Sequence, residues 1–187
     1  MCITIRTWLP LLEGPSPAVV FSFRNPLEVA MSMMKRDGAK IFPLARGLRL
    51  WIVYNMRAIQ NSHDLCRVFT SNEALMLNAK NELERIAAGL VKCGLVSPNP
   101  VIDQAIVNDF VDPNLRLDPT KHVNVDKVLA KHDHGRCIVY DYKSYLEEGH
   151  PQRGLEMSLY KKAMKMFCDM KSGAAYEADY EWPSTAW

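Results

Sequence analysis

Short apolar runs of strand length alternate along this chain with longer stretches in which apolar residues recur every three or four positions. Cys2–Thr7 alternates weakly and predicts a short strand, followed by the Trp8–Leu12 segment and a turn at Gly14–Pro17. Ala18–Phe23 reads as an unbroken apolar run, the pattern of a central strand in a parallel sheet covered on both faces. Directly after it, Asn25 is placed to cap a helix and Pro26 to occupy its first position, where a missing N–H costs nothing. That helix should run to about Arg36, with Lys35 and Arg36 complementing the dipole of its last turn and Gly38 just past its end.

A second helix is predicted from near Pro43 to near Ser62, with Leu44, Leu48, Trp51, Tyr54 or Asn55, and Ala58 forming one apolar stripe. Trp51 and Tyr54 are both expected in the core. Leu65–Ser71 predicts the next strand. The clearest helix is Lys80–Cys93, where Leu83, Ile86, Ala87, Leu90 and Val91 share one face and Gly94 stops the run. From Ser97 to His150 prolines and aspartates break the pattern, leaving a short helix at Val101–Phe110 and a peripheral strand at Cys137–Tyr142. A last helix, Gln152 to about Lys171, places Leu155, Leu159, Ala163, Phe167 and Met170 together and ends before Gly173. The tail from Tyr176 is aromatic and acidic, and either packs by its rings or frays.

Strands alternating with helices predict an α/β fold, a parallel sheet with helices on both faces. The chain divides into a core at 1–96, an irregular region at 97–150, and a C-terminal helix and tail at 151–187 belonging to the same domain. At 187 residues and 48% hydrophobic composition it should bury a real core. The net charge of +2 implies no nucleic-acid partner, and no apolar run approaches the length of a membrane span. The first residues lack a secretory signal pattern, which favours a soluble, cytoplasmic protein. Five cysteines without CxxC spacing read as buried free thiols rather than a disulfide framework or a zinc site.

An arginine at the end of a strand, beside a helix N-terminus, is an arrangement that grips an anion. The guanidinium binds phosphate in a bidentate way, and free backbone N–H groups and the helix dipole add to it. Arg24 occupies that position, and Ser32 lies eight residues on, able to add a hydroxyl hydrogen bond; the plain alternative is a surface ion pair of Arg24 with Glu28. His132, His134 and Cys137 match no zinc spacing, so no metal is expected. His63 beside Asp64 has the composition of an oriented base but reads as a polar turn. The lysines of the last helix, Lys161, Lys162, Lys165 and Lys171, read as a solvated face.

RNPLEVAMSMMKRDG at Arg24–Gly38, LARGLRLWIVYNMRAI at Leu44–Ile59 and NELERIAAGL at Asn81–Leu90 resemble the second half of sulfotransferases that use 3′-phosphoadenosine 5′-phosphosulfate, of the bacterial and algal type. ITIRTWLPLL at Ile3–Leu12 and FVDPNLR at Phe110–Arg116 are similar to flanking segments, so the likeness covers about residues 3 to 116. In that family the Arg and Ser of an R-[ND]-P-x-[ED]-V-A-x-S segment bind the 3′-phosphate of the donor, and they fall on Arg24 and Ser32. The resemblance implies a P-loop-like sulfotransferase fold, incomplete at its N-terminal edge, and sulfuryl transfer to a hydroxyl or amine of a small-molecule or glycan acceptor. It also implies a dimer or a partner chain at the incomplete sheet edge.

Two departures limit that expectation. The chain contains no G-x-x-[RK]-S-G-T segment, the loop that holds the 5′-phosphosulfate in the family, and SNEAL at Ser71–Leu75 puts Asn72 where an aromatic ring often contacts adenine. Sulfuryl transfer depends on in-line positioning and on donors that neutralise the leaving phosphate. Single oxyanion donors are worth about 2.7 to 4 kcal/mol, so loss of a whole loop predicts little activity from this chain alone, and no catalytic base is assigned. The alternative reading is a non-catalytic binding or interaction module on the same fold.

Overall fold

A computed structural model describes residues 4–12, 17–95, 101–110 and 153–184. In chain order the elements are helix α1 (Ile5–Trp8), a 3-10 turn (Leu9–Leu11), strand β1 (Ala18–Phe23), helices α2 (Pro26–Asp37) and α3 (Leu44–Asn61), strand β2 (Cys66–Ser71), helices α4 (Asn72–Leu77), α5 (Ala79–Lys92), α6 (Gln104–Phe110) and α7 (Arg153–Ser172), and a 3-10 turn (Ala174–Tyr176). The described residues are thus mixed α/β, mostly helical, with a two-stranded parallel sheet. The predicted strand at Cys137–Tyr142 lies outside them, as do His132, His134 and Cys137. No described helix is long and apolar enough to cross a membrane.

The fold divides into two compact units, Met1–Arg24 with Arg57–Leu117, and Asn25–Met56 with Asp118–Trp187. In the first unit, β1 and β2 pair in parallel from Ala18 opposite Cys66 to Phe23 opposite Ser71. Even-numbered residues of β2 share one face, because side chains alternate along a strand. Helix α5 lies along that face. Val68 meets Gly89 so closely that a Cβ on the glycine would come within 2.7 Å of a Val68 methyl, and Thr70 hydrogen-bonds Glu82 at 2.7 Å. Cys66 is joined to Cys93 by a disulfide.

That bond corrects the expectation of buried free thiols. Cys66 is exposed at the start of β2, and Cys168 of α7 is disulfide-bonded as well. The cause is topology: α5 returns along β2, so residues 27 apart in sequence end with their Cα atoms 5.7 Å apart. The expectation of a strand covered on both faces also needs correction. Phe21 and Phe23 are buried, but Val20 and Ser22 are exposed on the α5 side of the sheet, so α5 covers β2 and leaves β1 open there. Ser22 is the one polar residue of that run, and it stands on the open face with Val20.

Residues 5–8 form a helical turn rather than the predicted strand. Alternation over so few residues cannot distinguish the two periods. Trp8 Nε1 donates to Thr4 Oγ1 at 3.3 Å, and Arg6 is held by Asp64 through two 2.8 Å hydrogen bonds.

The second unit is helical. Leu27 and Ala30 of α2, Leu44, Leu48, Trp51, Ile52 and Met56 of α3, and Leu159, Ala163, Met164, Met166, Phe167 and Met170 of α7 are all buried. Trp51 meets the Phe167 ring edge-on at 6.4 Å. Tyr54, expected beside Trp51 in the core, is instead 49% exposed, because the buried stripe runs through Leu48, Ile52 and Met56 and Tyr54 lies beyond its edge. Gly47 lets α3 approach α2 closely: a Cβ there would stand 2.7 Å from the Cα of Ala30. The tail packs. Tyr180 donates its hydroxyl to Asp169 Oδ2 at 2.6 Å and meets the Trp182 ring edge-on at 4.8 Å.

Candidate anion site at the start of α2

Arg24 follows the last residue of β1, is half-buried, and closes the first unit; Ser32 lies in the second unit, half-buried in α2. Between them the chain turns on Asn25, which is 1% exposed. Its Oδ1 accepts hydrogen bonds from Leu27 N at 2.9 Å and Glu28 N at 3.4 Å, and its Nδ2 reaches Met164 Sδ at 3.9 Å. The turn is therefore capped from within and anchored to α7.

This capping decides what α2 offers an anion. In the first turn of α2, Pro26 has no N–H, Leu27 and Glu28 donate to the Asn25 side chain, and Val29 makes the first regular helix bond, to Asn25 O at 3.1 Å. The expectation that free backbone N–H groups reinforce Arg24 is thus corrected. Glu28 also places a carboxylate in that first turn. Six residues separate Pro26 from Ser32, a rise of about 9 Å at 1.5 Å per residue, which sets Ser32 beyond the capped end.

Asn72 is the first residue of α4 and half-buried, and Ser71 caps that helix by accepting from Ala74 N at 3.2 Å. His63 and Asp64 do not form an oriented base. Asp64 is bound by Arg6, which holds its carboxyl below the usual range, while His63 Nδ1 lies 3.0 Å from Gln60 O and 3.2 Å from Arg6 Nη2. His63 Nδ1 either donates to the Gln60 carbonyl or accepts from Arg6, depending on the tautomer, and neither partner is a carboxylate.

Sequence reasoning passed over Thr70, Glu82 and Arg85. Arg85 grips Glu82 through Nε at 2.8 Å and Nη2 at 2.6 Å, and also donates to Phe69 O, while Thr70 donates to Glu82. Arg85 first, and Thr70 after it, hold the Glu82 carboxyl below its ordinary value against the opposing effect of burial. A carboxylate so stabilised is a poor proton acceptor, and the cluster acts as a clamp between α5 and β2. The Glu-x-x-Arg spacing on a helix was its one sequence signal. In the tail, burial and then Asp169 push the Tyr180 hydroxyl well above the ordinary tyrosine value, so it stays a donor. Among the described residues no three His, Cys, Asp or Glu side chains gather as a metal site.

No protein-family model, curated protein or solved structure matches the chain.

Proposed function

We propose that the segment from Arg24 to Ser32 is the 3′-phosphate half of a donor site of the sulfotransferase kind, on a P-loop-like fold incomplete at its N-terminal edge. The observation that carries this reading is the strand, turn and helix at Ala18–Asp37, with an arginine at the end of the strand and a serine on the helix flank. The internal cap favours an anion held by side chains over one seated on bare amides. In this reading Arg24 supplies charge and a two-pronged grip on the 3′-phosphate, and Ser32 supplies one hydroxyl donor.

The co-substrate is 3′-phosphoadenosine 5′-phosphosulfate, and the acceptor a hydroxyl or amine of a small molecule or glycan. The sequence contains no phosphosulfate loop, so the chain binds the nucleotide end and transfers little sulfate alone. The two-stranded parallel sheet among the described residues supports the same idea, because parallel sheets ordinarily carry more strands. A further strand, from the same polypeptide or a second copy, would complete it.

Calorimetric titration with adenosine 3′,5′-bisphosphate tests the reading, with adenosine 5′-monophosphate as the control. Expected is micromolar binding that needs the 3′-phosphate and falls at least about tenfold in Arg24→Ala, a loss of roughly 1.4 kcal/mol. Equal affinity for the two nucleotides, or an unchanged constant in folded Arg24→Ala, overturns it.

A further inference from the structure

The cysteines carry an inference that does not depend on the nucleotide reading. Cys66, Val68 and Thr70 stand on one face of β2, and each meets α5 at a different level: Cys93 at its C-terminal end, Gly89 in its last turns, Glu82 in its first turn. The disulfide therefore closes a contact that two independent interactions already align, with its Cα atoms 5.7 Å apart, inside the ordinary range for such bonds. Cys168, in the other unit, is also disulfide-bonded. All three cysteines among the described residues are thus oxidised, in two separately packed regions.

Thiols of cytosolic proteins are kept reduced by glutathione and thioredoxin, and Cys66 is exposed to both. We propose that this protein matures and resides in an oxidising compartment, such as a secretory lumen, the cell exterior or a periplasm, where Cys66–Cys93 is laid down as a permanent staple between β2 and α5. The proposal departs from the cytoplasmic expectation drawn from the first residues. In the step that makes the bond, the thiols of Cys66 and Cys93 lose two protons and two electrons. An oxidising disulfide carrier, a protein oxidoreductase or a small disulfide, accepts them and leaves as two thiols.

The test follows the full chain in the cells that make it. Cells are quenched in acid, free thiols are blocked with one alkylating label, disulfides are then reduced, and the released thiols take a second label. Peptide mass spectrometry reads each cysteine. The second label should exceed the first by at least about tenfold at Cys66, Cys93 and Cys168. In a Cys66→Ser variant, Cys93 should move to the first label. First label on Cys66 and Cys93 in quenched cells overturns the compartment, even where the purified protein forms the bond in a glutathione redox buffer. Failure to form it in that buffer, by a folded chain, overturns the staple as well.

Discussion

The unit that holds the sheet and the unit built from α2 and α7 are stabilised by different physics. The first has two strands and a modest set of buried apolar side chains, and it is tied by named cross-links: Cys66 to Cys93, Arg85 to Glu82 to Thr70, and Arg6 to Asp64. The second also has ties, a disulfide at Cys168 and Lys165 and Tyr180 on Asp169, but adds to them a broad apolar interior rich in methionine, where Trp51, Met164, Met166, Phe167 and Met170 are buried and Trp51 meets Phe167. A two-stranded sheet buries too little to stand alone, so directional and covalent contacts make up the difference. Amphipathic helices bury long apolar stripes in addition. Unbranched methionines fill the irregular gaps between them.

The largest effect should come from the packed unit. Phe167→Ala removes a 3%-exposed ring from the α7 interior, and large-to-small changes of this kind cost about 3 to 5 kcal/mol. A urea midpoint barely moved would mean that the helical unit does not rely on this core. Next comes the staple. Replacing both Cys66 and Cys93 by serine frees a loop of 27 residues in the unfolded chain, which by loop entropy costs roughly 3.5 kcal/mol. Reductant should then have no further effect on that unit, whereas it should lower the wild-type midpoint.

The smallest effect concerns acid. Glu82 has a carboxyl lowered by Arg85 and Thr70, so its contribution is fully present above the unfolded value near 4.5 and is lost as pH falls through the lower folded value. Glu82→Gln should therefore flatten the acid limb of stability while leaving the alkaline side unchanged. An acid limb identical to wild type would show that the clamp does not titrate with folding.

Local signals were legible and long-range ones were not. The start and stop of α2 could be read residue by residue, since Asn25, Pro26 and Gly38 each act on their own turn. Likewise α5 and α7 announced themselves through long periodic stripes. The Cys66–Cys93 bond could not be read, because it depends on how α5 returns along β2. Tyr54 was misplaced because a stripe reports a direction but not how wide the covering layer is. At the candidate site, Arg24 and Ser32 were singled out by a motif, and the cap that occupies the Leu27 and Glu28 amides was legible in the local signal at Asn25 and Pro26.

The proposed 3′-phosphate half-site is tested most directly by phosphorus resonance spectra of adenosine 3′,5′-bisphosphate during titration with the folded chain, since the two phosphates give separate signals. The 3′-phosphate line should shift and broaden while the 5′-phosphate line moves little, and Arg24→Ala should abolish the difference. Movement of the 5′ line alone, or of neither, would contradict a half-site built on Arg24.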